Sequence, residues 1–416
     1  MTTLISNIKL LVNTRKEFRL CRSKELSKLP AIEDAFLIIE DNHIAEYGTM
    51  NEVKLRAADF ANHIDASGKM VLPSWCDSHT HLVFAGSREN EFVDKIKGLS
   101  YAQIAAKGGG ILNSAKKINA TSEEELFRQS YRRLGEVMAL GTGAIEIKSG
   151  YGLNLEAELK MLRVIQRLKR NAPIPVKATF LGAHALPLEY RENRKGYIDL
   201  LINEMLPVIA REKLADFIDV FCEQGFFTLE ETGAICNAGK AVGLKPKIHA
   251  NQLSSSGAVQ TGIQLGALSV DHLEMMDEDA NNALANSSTI GTLLPSAAFF
   301  LGMPYQPARD LIDSNCAIAL ASDYNPGSSP SGNMNFVVAI SCIQMKMLPE
   351  EAINAATLNG AYAMELEKEV GSITIGKKAN LIITKEIPSL AYLPYSFGTN
   401  LIDVVIANGE QLSFNC

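Results

Sequence analysis

The stretch "GAIEIKSGYGLNLEAELKMLRVIQRLKRNAPIPVKATFLGAH", Gly143 to His184, decides the fold. It opens with a short apolar run, continues into the amphipathic segment "LEAELKMLRVIQRLKR", and ends in a second apolar run, "VKATFLGAH". Apolar residues at helical spacing predict a helix, whereas short apolar runs rich in β-branched residues predict buried strands. A strand, a helix and a strand in this order predict a parallel pair with a crossover helix.

The same alternation continues through the middle of the chain. Eight strand-like runs occur, and they are "KMVLPSW", "GAIEIKS", "VKATFLGAH", "DFIDVFC", "KPKIHA", "LSVDHL", "TIGTLLP" and "AIALASD". Between the first two, "SEEELFRQSYRRLGEVMAL" predicts a helix that Ser122 caps, with Glu125 completing a capping box. Eight such units predict a closed (β/α)₈ barrel of the TIM type. A doubly wound sheet is the competing interpretation, but no G-x-G-x-x-G follows the first run.

The two ends of the chain are short and strand-rich, as "AFLIIEDNHIAEYG" and "GSITIGKKANLIITKE" illustrate. Turn-forming pairs separate these strands, at Asp41-Asn42, Gly376-Lys377 and Asn408-Gly409. Packing the two ends together would bury both sets of apolar faces. We therefore predict an α/β protein in which residues 71–366 form the barrel and residues 1–70 and 367–416 form one small β-sandwich domain.

The composition and net charge indicate what kind of protein this is and which partners are unsuitable for it. Hydrophobic residues make up 47% and charged residues 21% of the chain, which is typical of a globular protein with a large core. A net charge of −7 without a long basic block makes nucleic acid and anionic membranes poor partners. The seven cysteines are scattered and include no C-x-x-C, which fits a reducing compartment. The first residues lack the apolar core of a signal peptide, so we expect a cytoplasmic protein.

Five of the seven histidines lie where predicted strands end. His79 and His81 follow the first strand, and His184, His249 and His272 end the third, fifth and sixth. A lone histidine at a strand end is more often a core residue, but the active sites of such barrels form at this rim. Because alternate residues of an extended segment share a face, the two histidines of "DSHTH" can point at one centre.

Nitrogen and carboxylate ligands without cysteine suit Zn²⁺ or a non-haem Fe²⁺. We predict that one divalent metal binds to His79, His81, His249 and Asp323, the last of which ends the eighth strand. A catalytic metal keeps a position for water and lowers the pKa of that water. Asp323 would hold the water and accept its proton.

Several motifs carry a resemblance to a known family. "DSHTH", "KIHA", "VDHLE" and "ASDYNPG" at four strand ends, with the strand-rich termini, resemble the amidohydrolase superfamily and its small β-sandwich. "HTHLVFAGSRENEF", "GGGI" at residues 108–111, "EIKSGYGL", "TFLGAHALP", "HANQL" and "SDYNPGSSP" are similar to the imidazolonepropionases within it. Asn380 departs from the acidic residue that is usual there. Two-metal members carry a lysine at the end of strand four, where this chain reads "DVFCEQG", so one metal is expected.

The resemblance implies a reaction. Water would open the ring of 4-imidazolone-5-propanoate to give N-formimidoyl-L-glutamate, a step of histidine degradation, with a metal-bound hydroxide attacking the cyclic amide carbonyl. Asp323 would take the proton and pass it to the leaving nitrogen. His272 would orient the water or the carbonyl, and His184 would act at the reacting ring.

The propanoate tail calls for a cation, and Arg88 offers a planar fork suited to a carboxylate, unless it pairs with Glu89 or Glu91 instead. Further substrate contacts that the resemblance implies are Tyr151, His184, Gln252, Asn325, Gly327 and Ser328. Tyr151 could equally be a packing aromatic. Gln252 is neutral, so it can bind the ring but cannot act as a base.

Two other functions compete. A deaminase of a purine, pyrimidine or guanidine compound could use the same barrel, although Gln252 stands where such enzymes often place glutamate. A non-catalytic binding scaffold is the second alternative, and the intact ligand set argues against it. Lys148 and Glu223 end strands two and four with roles left open. We expect a homodimer, the commonest soluble homo-oligomer.

Overall fold

The structure, a computed structural model, describes residues 2–52, 60–99, 103 and 109–413. The first strands are β1 (Thr2–Val12), β2 (Ala31–Glu40), β3 (His43–Thr49), β4 (Asn62–Asp65) and β5 (Met70–Pro73). The turn between β2 and β3 is Asp41-Asn42, as predicted, and both residues have positive φ, of 45° and 70°. Such a turn matches the right-handed twist of a hairpin.

Eight parallel strands follow in one sheet, each paired with the next in chain order. They are β6 (Trp75–Asp77), β7 (Thr142–Lys148), β8 (Val176–Ala183), β9 (Phe217–Cys222), β10 (Lys245–Ala250), β11 (Ser269–His272), β12 (Ile290–Leu293) and β13 (Ile318–Leu320). A parallel bridge between Thr80 and Tyr324 joins the segments that follow β6 and β13, so the first strand meets the last. The predicted barrel is confirmed.

The last strands, β14 (Leu381–Thr384), β15 (Ile402–Ala407) and β16 (Glu410–Gln411), return to the N-terminal ones. Together they form a mixed sheet in the order β16-β15-β14-β5-β1-β2-β3, with β4 paired to β1. Ile5, Leu37, Leu381 and Ile406 belong to a core of their own, apart from that of the barrel. The prediction that both chain ends build one small β structure is confirmed.

The predicted first barrel strand, "KMVLPSW", was wrong in one respect, because the run crosses from one sheet to the other. Its first half, β5, pairs with β1 and β14. The backbone N–H of Ser74 donates to the Asn380 carbonyl (3.0 Å), and that of Trp75 donates to the Gly141 carbonyl (2.9 Å). Periodicity reports burial but not the partner strand, so the apolar run does not mark the crossing.

Asn380, the departure from the superfamily pattern, lies at this crossing and is buried. Its side-chain amide donates to the Gly143 carbonyl (2.7 Å), and its side-chain oxygen accepts from the backbone N–H of Asn408 (2.7 Å). An ionised carboxylate could accept the second bond but could not donate the first. An amide is therefore the side chain that satisfies both neighbours at this position.

Helices and short connections surround the barrel. The helices are Glu89–Ile96, Ile111–Ala120, Glu123–Ala139, Leu155–Asn171, Arg194–Asp199, Leu206–Glu212, Leu229–Ala241, Ala258–Gln264, Glu278–Ala285, Pro295–Leu301, Ala308–Asp313, Met334–Met345, Pro349–Ala356, Leu358–Tyr362 and Tyr392–Tyr395. Ser122 caps the third of them by accepting from the Glu125 backbone (3.3 Å), as predicted. The capping box was wrong in its second half, because the Glu125 carboxylate accepts from Arg128 and Gln129 instead. Within the described ranges, no helix has both the length and the apolar character needed to cross a membrane. The six cysteines in those ranges are free thiols, and Cys416 and Gly108 lie outside them.

Gly360 lets the helix Leu358–Tyr362 approach β6 closely, which gives a test of the packing behind the site. A Cβ at Gly360 would lie 2.4 Å from the backbone oxygen of Cys76. We expect Gly360→Ala to lower the free energy of unfolding by about 1–3 kcal/mol, because backbone must shift to admit it. The matched control is Gly233→Ala, where a Cβ would meet open space. Chemical denaturation should show the control unchanged or slightly more stable, and equal effects of both changes would contradict the close approach.

Candidate active site

Nitrogen atoms from the strand ends converge below the rim of the barrel. One ligand atom each from His79, His81 and His249 lie within 4.8 Å of one another, and His79, His272 and Asp323 form an overlapping set with the same spacing. All five side chains belong to residues at most 2% exposed. Asp323 Oδ1 lies 3.5 Å from His81 Nε2 and 3.7 Å from His79 Nε2. The structure thus brings together the four predicted ligands and places His272 beside them.

A carboxylate behind each of two histidines fixes which ring nitrogen is free. His79 Nδ1 lies 2.6 Å from Asp271 Oδ2, and His249 Nδ1 lies 2.9 Å from Asp219 Oδ2. Since an ionised carboxylate only accepts hydrogen bonds, each Nδ1 carries the hydrogen and each Nε2 keeps its lone pair. Both Nε2 atoms are buried and lack a hydrogen-bond partner in the described part of the chain. Orphaned lone pairs beside a carboxylate fit a divalent metal.

Two of these residues are held in backbone conformations that L-residues rarely adopt. His272 has φ of 91° and Asp323 has φ of 54°. Such strain costs on the order of 1–3 kcal/mol and persists only where the surroundings enforce it. At Asp323 the enforcement is visible, because the neighbouring Ser322 donates to both oxygens of buried Asp77 (backbone 3.0 Å, hydroxyl 2.5 Å). Asp77 therefore ties the last strand to the first and sets the position of Asp323.

Burial shifts the protonation of these groups. Burial and then the neighbouring His184 ring lower the pKa of His81 well below its ordinary value. Burial likewise lowers the pKa of His184 to about 3. Burial also lowers the pKa of His272, but the carboxylates of Glu274, Asp323 and Asp271 together outweigh burial, and the net pKa is raised. For Asp323, burial raises the pKa against the opposing charge of His272. The site therefore combines two imidazoles with a lowered pKa, His81 and His184, with two groups that hold a proton more readily than usual, His272 and Asp323.

The rim opens into a cavity of about 660 Å³. All predicted site residues except His79 line it, namely His81, Arg88, Tyr151, His184, His249, Gln252, His272, Asp323, Asn325, Gly327 and Ser328. His184 Nδ1 donates to the Gly150 carbonyl (3.1 Å), which leaves Nε2 as an acceptor. The Tyr151 ring lies 5.3 Å from that of His184 and 5.7 Å from that of His81. The cavity is large enough for a small ring compound.

The sequence left open whether Arg88 faces the substrate or pairs with a neighbouring glutamate, and in the structure it lies on the cavity wall and also forms the pair. Its Nε and Nη2 both donate to Glu91 Oε2 (2.8 and 2.6 Å), so the pairing with Glu91 is real. Arg88 also lines the cavity, and a Cβ at Gly327 would lie 2.2 Å from its Nη1. Glu91 is fixed in turn by the backbone N–H of Gly110 (3.1 Å) and the amide of Asn113 (2.9 Å). The guanidinium is thus held along one edge while the Nη1 edge lies against the loop after β13.

That loop is organised by its own polar groups. The Asn325 side-chain oxygen accepts from the backbone N–H groups of Gly327 and Ser328 (2.8 Å each). Its amide nitrogen donates to the Asp323 carbonyl (2.6 Å), and the Ser328 hydroxyl donates to Asp323 Oδ2 (3.2 Å). Asn325 and Gly327 therefore shape the cavity wall through bonds within the loop. Ser328 touches the predicted base directly.

Two glutamates support loops that carry predicted substrate contacts. Glu158 is fully buried and accepts from the backbone N–H groups of Gly150 (3.1 Å), Gly152 (2.6 Å) and Leu153 (3.1 Å), which surround Tyr151. Glu223, left open by the sequence, accepts from the backbone N–H of Leu253 (2.9 Å), next to Gln252.

Sequence reasoning missed several residues at this site. Asp219 and Asp271 interrupt the apolar runs "DFIDVFC" and "LSVDHL", and a charge inside a buried strand was the signal that could have found them. Lys95 lines the cavity and donates to the Gly327 carbonyl (3.3 Å). It lies two helical turns after Arg88, a spacing that places both cations on one face.

Comparisons with known proteins bear on this geometry. Residues 226–412 match the model of the amidohydrolase family. A relative named imidazolonepropionase from Flavobacterium johnsoniae is 58% identical, covering 99% of this chain and 100% of its own. The structure is similar to guanine deaminase from E. coli, with a TM-score of 0.75 at 12% identity over 100% of both chains. An adenosine deaminase from Xanthomonas campestris with bound zinc gives a TM-score of 0.69 at 14% identity over 98% of this chain and 92% of its own.

The two deaminases are too distant in sequence to show more than a shared fold. The relative at 58% identity covers the whole barrel and both strand-rich ends, including every residue placed around the cavity. The strand-end histidines and the barrel agree with the match to the amidohydrolase model. The chain therefore belongs to the imidazolonepropionase family of the amidohydrolase superfamily.

Proposed function

We propose that this chain is a metal-dependent hydrolase that opens the ring of 4-imidazolone-5-propanoate to N-formimidoyl-L-glutamate. The observation that carries the proposal is the convergence of three imidazoles and one carboxylate at the floor of a cavity whose wall bears cations. Water would add across the cyclic amide, with its hydroxyl going to the carbonyl carbon and its hydrogen to the ring nitrogen. The relatives' name and the extent of the identity support the substrate.

His79, His81, His249 and Asp323 would hold one divalent metal, Zn²⁺ or Fe²⁺. When bound, such an ion lowers the pKa of water and polarises a carbonyl. The residues themselves supply the rest of the chemistry. The free Nε2 atoms of His79 and His249 are preset by their carboxylate partners, so no ring has to turn for binding.

Asp323 is proposed to accept the proton of the attacking water and to deliver it to the ring nitrogen as the amide bond breaks. Its Oδ1 lies towards the histidines, whereas its Oδ2 accepts from the Ser328 hydroxyl. His272 lies beside it, and its raised pKa favours a protonated ring that can donate to the carbonyl oxygen as negative charge develops there.

The cavity wall is proposed to hold the substrate at both ends. Neutral His184, with Nε2 as an acceptor, and Gln252 suit the N–H and C=O groups of the imidazolone ring. Tyr151 would pack against the ring. Arg88 would bind the propanoate carboxylate with the edge that Glu91 leaves open.

Metal removal tests the proposal. Because water attack depends on the ion, we expect a chelator to abolish ring opening of freshly made imidazolonepropanoate, followed in a spectrophotometer, and Zn²⁺ or Fe²⁺ to restore it. Metal analysis of the restored protein should give about one equivalent. Ring opening that survives complete metal removal would contradict the metal site. Ammonia release from guanine or cytosine without ring opening would point to a deaminase.

Replacing Arg88 with alanine tests the substrate anchor. We expect Arg88→Ala to raise KM by about 10- to 100-fold, the loss of one charge-assisted pair, while kcat and bound metal change little. Steady-state kinetics and metal analysis measure both. Arg128→Ala is the control, since Arg128 is an exposed arginine paired with Glu125. An unchanged KM in Arg88→Ala would place the carboxylate elsewhere in the cavity.

Three further parts of the proposal stay predictions. We predict that the chain divides into a barrel over residues 71–366 and a β domain from residues 1–70 and 367–416, although residues 71–73 of β5 pair within the mixed sheet. We also predict that it works as a homodimer and that it acts in the cytoplasm. Analytical ultracentrifugation of the purified protein measures the second directly.

A further inference from the structure

A cluster of buried charges lies beneath the histidines, and the proposed mechanism does not use it. At its centre is Lys148, the last residue of β7, whose side chain is fully buried. Its Nζ donates to Glu146 Oε1 (2.7 Å) and to Asp219 Oδ2 (2.8 Å), and it lies 3.6 Å from Asp271 Oδ2. Burying an ammonium group is unfavourable unless its partners compensate, so its location calls for a reason.

The two aspartates connect this ammonium to the metal-binding histidines. The same oxygen of Asp219 accepts from Lys148 and from His249 Nδ1 (2.9 Å). The same oxygen of Asp271 lies beside Lys148 and accepts from His79 Nδ1 (2.6 Å). One cation thus contacts both carboxylates that fix the ring orientation of two predicted ligands.

We propose that Lys148 is a positioning residue of the metal centre, acting through Asp219 and Asp271 on the imidazoles of His249 and His79. The inference rests on the proposed function, because it presumes that these histidines bind a metal. The ammonium attracts the carboxylate oxygens that accept from His249 and His79, and so keeps the two carboxylates beside those rings. Partners of metal ligands typically contribute 10- to 100-fold in metal affinity.

A second buried lysine offers a matched control. Lys247 is also fully buried, and its Nζ donates to Glu146, to the Ser78 carbonyl (3.0 Å) and to the Ala363 carbonyl (3.2 Å). These bonds satisfy its three hydrogens without Asp219 or Asp271. Removing the charge of Lys247 therefore perturbs the same cluster without releasing either histidine partner.

The experiment compares Lys148→Met with Lys247→Met after metal removal and titration with Co²⁺. We expect Lys148→Met to bind Co²⁺ about tenfold or more weakly and to show a changed visible spectrum, which reports ligand geometry. Lys247→Met should keep the wild-type spectrum and an affinity within about threefold. Thermal unfolding of the metal-free proteins separates lost folding from lost binding. If Lys148→Met does not fold, Lys148→Gln, which keeps a donor, takes its place.

A double-variant cycle decides whether Lys148 acts through Asp219. If it does, the double variant Lys148→Met/Asp219→Asn should bind Co²⁺ much more tightly than the product of the two single effects predicts. Independent effects, or a Lys148→Met spectrum and affinity that match those of Lys247→Met, would overturn the inference. Failure of the proposed function is distinguishable, because the wild-type protein would then bind no Co²⁺ or would not open the ring.

Discussion

Replacing His249 with alanine should remove the metal from the protein and lower kcat/KM by at least about 10³-fold, because the attacking water loses its activation. His249 Nε2 is a buried nitrogen without a hydrogen-bond partner in the described ranges, and His249 Nδ1 donates a hydrogen bond to Asp219. Alanine offers no ligand atom to the metal, so three of the four predicted ligands remain. It also leaves an empty space between their side chains. Metal analysis after expression in metal-rich medium should find less than about a tenth of an equivalent.

The control for this change is His43→Ala. His43 lies in β3, far from the barrel rim in sequence, and its Nδ1 bonds only locally, to the Asp41 carbonyl (2.7 Å). We expect His43→Ala to keep full metal and activity, as substitutions of exposed residues usually do. A His249→Ala protein that retains a full equivalent of metal would show that the histidine is not a ligand, whatever its activity.

The sequence was sufficient for the architecture and for the members of the site, for a physical reason. Parallel strands that are buried on both faces are short and apolar, so their ends can be read from the chain, and the barrel collects those ends on one rim. His79, His184, His249 and His272 could therefore be placed together before any coordinates. The side chains that build the site come from the same rim.

The sequence does not show which residues bond to one another in the folded chain. The apolar run around β5 and β6 shows burial but not that Ser74 and Trp75 bond to different sheets. In the same way, Arg88 is visible as a cation, but its bond to Glu91 depends on how the following helix turns. The bonds of Asp219 to a lysine 71 residues away and to a histidine 30 residues away depend on which strands are neighbours. Such contacts follow from tertiary packing rather than from local pattern.

Asp323→Asn gives the sharpest test of the chemistry, because it keeps the shape of the side chain and removes the proton acceptor. The amide oxygen can still approach the metal, while the amide cannot take up or pass on a proton. We expect kcat to fall by about 10²–10⁴-fold, the usual contribution of a general base, with KM changed much less. Steady-state kinetics should be paired with metal analysis, so that a lost ion is not mistaken for a lost base.

Ser328→Ala serves as the comparison for Asp323→Asn. It removes the hydroxyl that donates to Asp323 Oδ2 at 3.2 Å and leaves the carboxylate in place. One hydrogen bond is worth about 0.5–1.5 kcal/mol, so we expect kcat to change by about tenfold or less. The limb of the pH–rate profile that reports deprotonation of the base should persist in Ser328→Ala and vanish in Asp323→Asn. A metal-replete Asp323→Asn protein with wild-type kcat would assign the base to another group, and buried His272 would be the first to test.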